Sequence, residues 1–182
     1  MTTTTSTAVD KATDITGERA DLLVALAKQR HFLGFTARDL TDEQAGQRTT
    51  VSELCVGGLI KHVTVVERLW ADFIVDGPSA MPDFSTFTAE DYARRADEFR
   101  MLPGETLAGV LAAYREVALR TDELVATLPD LGAVQPLPKA PWFKDEAWSA
   151  RRVLLHIIAE TAQHAGHADI IREAIDGAKS MG

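Results

Sequence analysis

The feature of this sequence that most restricts its fold is a set of four long segments in which apolar residues recur at helical spacing. These segments cover residues 18–39, 56–75, 105–128 and 148–175, and the second can start as early as Ser52. Apolar residues three and four positions apart form one stripe along a helix, whereas a half-buried strand alternates apolar and polar residues, and no segment shows a convincing alternation. The pattern therefore predicts an all-α fold, a four-helix bundle.

The four predicted helices are joined by connections of unequal length. Residues 79–103, between the second and third helices, contain prolines, aromatic residues and a short helical stretch that Thr88 can cap. Residues 129–141 form a proline-bearing crossover before the last helix, which Ser149 can cap and Gly177 can end. The long connection between the second and third helices allows these two helices to pack without being neighbours.

The length of the chain bounds the number of domains. Its 182 residues are enough for one domain with a sizeable core and too few for two generous ones. We expect a single helical domain over residues 13–182. Residues 1–12 are rich in threonine and lack the apolar stretch and basic start of a signal peptide, so we expect a disordered N-terminal tail.

Charge, hydropathy and cysteine content exclude several classes of function. The formal net charge of -8 argues against nucleic acid as the main partner. No run of 18 or more apolar residues occurs, so no membrane-spanning segment is predicted. Cys55 is the single cysteine, which rules out an intramolecular disulfide and favours the reducing cytoplasm. A thiolate nucleophile at Cys55 is conceivable, but we interpret this residue as a small buried apolar group.

The last helical segment concentrates residues that can bind a metal or move a proton. His156, Glu160, His164 and His167 fall at roughly 0°, 40°, 80° and 20° around the helix axis, so the four side chains share one stripe. The apolar residues on either side of it are Leu155, Ile158, Ala159, Ala162, Ile170 and Ile171. We therefore expect the stripe to face the core. Burying so many polar groups without partners would cost several kcal/mol, and a divalent metal ion is the simplest partner.

A metal site on this stripe needs a ligand from a second helix. Glu160 and His164 are four residues apart, about 6 Å on a helix surface, which suits two ligands of one ion. Catalytic zinc sites commonly take three protein ligands, and His62, in the middle of the apolar face of the second helix, is the best-placed third ligand. Spacing also allows His156 or His167 to replace either ligand on the last helix. Otherwise we assign these two histidines to hydrogen bonding with a ligand or to proton transfer beside the ion.

Each of these residues also has a simpler interpretation. A lone histidine on an apolar face, such as His62, is often a hydrogen-bonded core residue. A glutamate four positions before a histidine is often an ordinary contact between successive helix turns. The combination favours a metal site, because two separate inward faces both carry ligand-type residues.

Two further groups of residues are candidates for shaping a substrate site. The aromatic residues Trp142, Phe143 and Trp148 can line a pocket mouth or simply pack the crossover over the end of the bundle. The cations Lys61, Arg152 and Arg172 can hold an anionic substrate, but we interpret each as a solvated charge on a helix face.

Two segments of the sequence resemble the DinB/YfiT-like superfamily. The first comprises residues 58–63 (GLIKHV) and 66–70 (VERLW), and the second comprises residues 154–169 (LLHIIAETAQHAGHAD). More narrowly, they are similar to the mycothiol-dependent branch, which includes the metal-binding domain of maleylpyruvate isomerases. The resemblance extends from about residue 18 to residue 177 and implies a four-helix bundle with a divalent metal.

The resemblance also implies a ligand set. In this family one histidine of the second helix and two residues of the fourth bind the ion, often zinc or nickel, which here gives His62, Glu160 and His164. Many members have a third histidine where this sequence has Glu160, and the glutamate is typical of the mycothiol-dependent branch. We expect no additional C-terminal domain like that of the isomerases, and therefore a single-domain thiol S-transferase rather than an isomerase.

The function that the resemblance implies is a metal-dependent transfer of a low-molecular-weight thiol to an electrophilic small molecule. Mycothiol is the expected co-substrate and zinc the expected ion, with nickel as the alternative. Family members are often homodimers, and we expect the same here, in the cytoplasm. Two other hypotheses stay open from the sequence: a non-enzymatic metal-binding or stress-related module, and a metal-dependent hydrolase with water as the nucleophile.

Overall fold

The computed structural model describes residues 15–180. Its helices are α1 (Glu18–Thr36), α2 (Asp42–Gly46), α3 (Val56–Asp76), α4 (Ala89–Asp97), α5 (Leu107–Thr127) and α6 (Ala150–Asp176). Two short strands, β1 (Val134–Pro136) and β2 (Ala147–Ser149), and two 3-10 turns, Gly77–Ala80 and Phe84–Thr86, complete the described elements. The predicted all-α class is confirmed, with four long helices. The predicted tail at residues 1–12 lies outside the described residues.

The ends of the helices follow local hydrogen-bonding signals. The side chains of Thr88 and Ser149 accept hydrogen bonds from the first turns of α4 and α6, as predicted. Gly177 ends α6 in the left-handed conformation, with φ of 78°. Of the two predicted starts of α3, Val56 is correct and Ser52 is not. The residue that caps the helix is Cys55, through its Sγ.

The four long helices pack around two clusters of buried apolar residues. Helix α6 lies against α1 and α3, and α5 lies against α3 and α1. One cluster is centred on residues such as Leu33, Ile60 and Tyr114. The other contains Trp70 and Phe73 of α3 together with residues near the start of α6. Helix α3 contacts the other three long helices and also α2 and the 3-10 turn Gly77–Ala80, which makes it the central element of the fold.

The long connection between α3 and α5 folds back onto α3. It contains both 3-10 turns and α4, which has no buried residue. The turn after α4 packs on the first turns of α3, where Phe99 and Met101 join the first apolar cluster. The connection that the sequence leaves irregular therefore covers one side of the central helix.

The crossover between α5 and α6 contains an antiparallel strand pair that the sequence pattern does not predict. Val134 pairs with Ser149, Gln135 with Trp148 and Pro136 with Ala147. Strands of three residues are too short to show an alternating pattern. The pairing fixes the segment just before α6 and so positions Trp148.

No helix in residues 15–180 combines the length and the apolar character that crossing a bilayer requires.

Candidate metal centre

Three predicted ligands converge at one place between α3 and α6. His62 on α3 and Glu160 and His164 on α6 each offer a ligand atom, and these atoms all lie within 4.8 Å of one another. The rings of His62 and His164 meet edge to face, with centroids 5.0 Å apart. His62 is almost fully buried, whereas Glu160 and His164 are partly buried. The structure thus brings the His62 imidazole together with a carboxylate and an imidazole that are remote from it in the sequence.

The prediction that the whole stripe of α6 faces the core is wrong. The core face of α6 is formed by Val153, Leu154, Ile157, Thr161, Ala165, Ala168 and Ile171. The stripe borders that face, and the side chains of His156 and Glu160 are each 27% exposed. Leu155 and Ile170, which we expected beside the core, are exposed. Ala165, Ala168 and Ile171 of this face pack in the apolar cluster that contains Leu59 and Val63 of α3. The larger polar groups of the stripe lie at the edge of the core face and are only partly buried.

Glu160 lies between two histidines of its own helix. Its Oε2 is 3.7 Å from Nε2 of His164, and its Oε1 is 4.0 Å from Nε2 of His156. The His164 imidazole is the main reason that the pKa of Glu160 is lowered from its usual value, and it outweighs partial burial, which acts in the opposite direction. Glu160 is therefore an ionised carboxylate at neutral pH.

His156 lies one turn before Glu160 in an aromatic environment. Its ring contacts Trp70 and Trp148 at centroid distances of 4.9 and 5.3 Å. Burial lowers the pKa of His156 and outweighs the nearby Glu160 carboxylate, which favours the charged form. The imidazole is therefore neutral at pH 7 and can accept a proton.

His167 has a different position. Its Nδ1 lies 3.4 Å from Nδ1 of His164, within hydrogen-bonding distance. One of the two nitrogens donates and the other accepts, so the pair fixes the orientation of the His164 ring. The two histidines that spacing left interchangeable are thus separated: His156 flanks Glu160 on one side, and His167 contacts His164 on the other.

Sequence reasoning missed Glu98, a charged residue in contact with His62. Glu98, just after α4, places its Oε2 3.2 Å from Nδ1 of His62. Phe99, the next residue, stacks on the His62 ring with centroids 4.0 Å apart. No sequence signal identifies Glu98, because it lies in the irregular connection and its position depends on how that segment packs on α3.

A cleft of about 190 Å³ opens beside the centre. His62, Glu160 and His156 line it together with Glu98 and Arg95. Its apolar walls include Leu69, Trp70, Met81, Phe84, Trp142 and Phe143. Two of the three aromatic residues considered for a pocket mouth therefore line the cleft, and the third, Trp148, stacks behind it on Trp70 at 4.9 Å.

The residues considered as alternative functional groups have structural roles. Cys55 is buried, and its Sγ accepts a hydrogen bond from the amide of Gly58. Lys61 is not the solvated charge that we predict, because its side chain is 18% exposed and pairs with Glu105 at 2.7 Å. The prediction that Arg172 is a solvated charge is also wrong, because the residue is buried and ion-paired with Asp176.

Arg172 joins the ends of α1 and α6. Its guanidinium donates to the carbonyl oxygens of Thr36 and Arg38 and makes two hydrogen bonds of 2.8 Å to Asp176. The carbonyl groups at the end of α1 have no partner within their own helix, so a buried cation there satisfies them.

The donor set is one that a divalent metal accepts. Two imidazole nitrogens and one carboxylate oxygen are the ligands of several catalytic zinc sites, and imidazole also suits nickel. The three ligand atoms are close enough for one ion. The residues present therefore fit the metal that the resemblance implies.

The fold and the site define a helical protein with a candidate centre of two histidines and one glutamate beside an apolar cleft. A family model described as mycothiol-S-transferase matches residues 21–177. The chain belongs to the mycothiol-S-transferase family, and it is therefore an enzyme of the transferase class. A comparison with curated proteins gives no match.

Proposed function

We propose that this protein joins mycothiol to an electrophilic small molecule and that a divalent metal held by His62, Glu160 and His164 assists the reaction. The observation that carries the proposal is the convergence of these three side chains at the edge of a cleft. Zinc is the proposed ion and nickel the alternative. A buried ion surrounded only by protein would suit a structural role, whereas a centre beside a cleft leaves access for a thiol.

The chemistry requires a thiolate at neutral pH. A divalent ion, when bound, supplies Lewis acidity that lowers the pKa of a thiol. Glu160 brings one negative charge to the ligand set, so the site is closer to neutral than one with three histidines. We therefore expect somewhat weaker activation of sulfur than three neutral histidines would give.

The transfer forms one C–S bond and breaks one bond of the electrophile. A sulfur lone pair attacks carbon, and the electron pair of the broken bond leaves with the leaving group or with the oxygen of an opened ring. The thiol proton needs an acceptor. We assign this role to His156, because it lines the cleft next to Glu160 and is neutral at pH 7.

The walls of the cleft indicate the class of electrophile. Four aromatic side chains line the cleft, those of Trp70, Phe84, Trp142 and Phe143, and Arg95 adds a cation. Aromatic walls favour flat, apolar molecules through burial and ring stacking. We therefore propose an apolar or aromatic electrophile. The homodimer and the cytoplasmic location implied by the resemblance stay predictions.

Thiol consumption tests the proposed function. The purified protein is stripped with a chelator, reloaded with zinc or nickel, and mixed with mycothiol and a chlorodinitroarene. We expect the loaded protein to deplete the thiol and form the aryl thioether, and the stripped protein to do neither. Metal binding without thiol depletion for a panel of electrophiles would contradict the proposal and favour a metal-binding module. Hydrolysis of an ester or amide panel without thiol use would favour the hydrolase.

A further inference from the structure

We propose that Glu98 is a positioning residue that holds His62 in the tautomer required of a metal ligand. The inference rests on the proposed function, since it assigns a role at the same centre. Glu98 Oε2 lies 3.2 Å from Nδ1 of His62, and the side chains of the two residues are 23% and 6% exposed. The contact is thus largely shielded from water. A charge-assisted hydrogen bond is stronger in such an environment than in water.

The direction of this hydrogen bond follows from the groups involved. An ionised carboxylate can only accept, so Nδ1 of His62 must carry the proton that is donated. A neutral imidazole protonated at Nδ1 keeps its lone pair at Nε2. Nε2 is therefore the nitrogen left for a metal, and the carboxylate makes it more basic.

Glu98 is held in place by contacts between the turn after α4 and the central helix. Lys61 Nζ donates to the carbonyl oxygens of Asp97 and Arg100 at 3.3 and 2.9 Å. The thiol of Cys55 donates to the carbonyl oxygen of Phe99 at 3.6 Å. The carbonyls on both sides of Glu98 are thus bound to α3, which leaves its side chain facing His62.

Gly58 makes this close contact possible. A Cβ atom at position 58 would lie 1.9 Å from the carbonyl oxygen of Phe99 and 2.7 Å from the amide nitrogen of Arg100. These are backbone atoms, so a side chain at position 58 must displace the turn. Glycine in a helix costs about 1 kcal/mol relative to alanine. The glycine that weakens the start of α3 therefore has a role: it lets Glu98 reach the helix.

The first test reads the His62 tautomer in metal-free protein. Nitrogen-15 chemical shifts of the imidazole, recorded well above a histidine pKa of about 6.5, distinguish the two tautomers. We expect Nδ1–H in the wild type and in Glu98→Gln, whose amide oxygen can still accept. We expect loss of that preference in Glu98→Ala. Glu90→Ala, an exposed side chain on α4, is the matched control and should leave the tautomer unchanged.

The second test measures zinc affinity by competition with a chelator. Loss of a carboxylate that orients a ligating histidine weakens metal binding roughly 10- to 100-fold, and we expect Glu98→Ala to do so, with Glu98→Gln closer to the wild type. Gly58→Ala should weaken zinc binding in the same way, because it displaces the turn that carries Glu98. Gly34→Ala, at a helical glycine with open space around its Cβ position, is the control.

The outcomes separate the inference from the proposed function. If the wild type binds zinc and Glu98→Ala changes neither the tautomer nor the affinity, the inference is wrong and the metal centre stands. If the wild type binds neither zinc nor nickel, the proposed function fails, while the tautomer measurement still decides the role of Glu98. X-ray absorption showing one oxygen ligand fewer in Glu98→Ala would make Glu98 a ligand and overturn its assignment as a positioning residue. Should Gly58→Ala fail to fold, the Glu98 variants decide alone.

Discussion

The imidazoles of His62 and His164 lie edge to face, 5.0 Å apart between ring centroids, although they belong to different helices. Their proximity depends on the packing of α3 against α6, which is made by small and apolar side chains on both helices. Each histidine also has its own partner: Glu98 for His62 and His167 for His164. Two ligands are thus oriented from opposite sides before any ion binds.

His164→Ala should remove most metal binding while the protein stays helical. The substitution takes away one of three ligands, so we expect a loss larger than the roughly 10- to 100-fold that removal of a ligand's hydrogen-bond partner causes. Metal analysis after dialysis and far-UV circular dichroism measure the two effects. His31→Ala, an exposed histidine on α1, is the control. Unchanged metal stoichiometry in His164→Ala would count against the centre.

His167→Ala should weaken metal binding without abolishing it. The variant loses the hydrogen bond between Nδ1 atoms and leaves the His164 ring free to rotate. We expect a decrease in zinc affinity of roughly 10- to 100-fold. Metal competition assays measure it. An affinity equal to that of the wild type would show that the contact between the two histidines does not orient the ligand.

His156→Ala should have the opposite profile, with normal metal binding and slow transfer. Its ring packs against Trp70 and Trp148 and lines the cleft, so its loss removes the proposed proton acceptor. General base catalysis contributes typically 10²- to 10⁴-fold, and we expect kcat to fall within that range. Steady-state kinetics with saturating metal measures it. A kcat that stays at the wild-type value would remove His156 from the mechanism.

The sequence predicts the three candidate metal ligands better than it predicts the burial of the residues around them. His62, Glu160 and His164 are recognisable because helical periodicity assigns each residue to a face, and two faces with ligand-type residues can meet. The sequence pattern predicts that the polar stripe of α6 faces the core, whereas the stripe borders the core face. Periodicity does not distinguish the centre of a broad apolar face from its edge. Leu155 shows this most clearly, because its apolar character predicts burial and the structure exposes it.

The sequence pattern does not predict the roles of Glu98 and Arg172. Their roles depend on tertiary contacts: Glu98 reaches His62 only because Gly58 admits the turn, and Arg172 is buried only because α1 ends beside it. A charged residue on an apparently polar face is assigned to solvent by default, and only the arrangement of the neighbouring chain reveals its partner.

Trp142→Ala should weaken the binding of aromatic electrophiles. Trp142 is 52% exposed at the cleft and contacts Phe84 edge to face at 5.0 Å. Aromatic pairs contribute about 0.5–1.5 kcal/mol, so we expect KM to rise roughly 2- to 10-fold, with kcat less affected. Kinetics with a chlorodinitroarene measures this, with Phe35→Ala on α1 as the control. An equal KM for wild type and variant would place the electrophile elsewhere.

Glu67→Ala should strongly destabilise the fold. Glu67 is fully buried on α3 and forms two hydrogen bonds with Arg30, which also pairs with Asp122. Removing the carboxylate leaves a buried cation with one partly exposed partner, which typically costs about 3–5 kcal/mol. Urea denaturation measures the free energy of unfolding. Glu116→Ala, exposed on α5, should change it by less than about 0.5 kcal/mol, and a similar small change for Glu67→Ala would contradict the role of the buried pair.

The ion pair between Arg172 and Asp176 should make stability depend on acidic pH. The Arg172 guanidinium, helped by the amide of Ala178, lowers the pKa of Asp176 below its usual value. Ionised Asp176 therefore stabilises the folded state above the unfolded-state pKa of about 3.9, and this contribution is lost as the pH falls through the lower folded-state pKa. Asp176→Asn should reduce the melting temperature by a constant amount above about pH 5, and the difference should shrink below about pH 4. A difference that grows towards acidic pH would show that the charge of Asp176 does not stabilise the contact between α1 and α6.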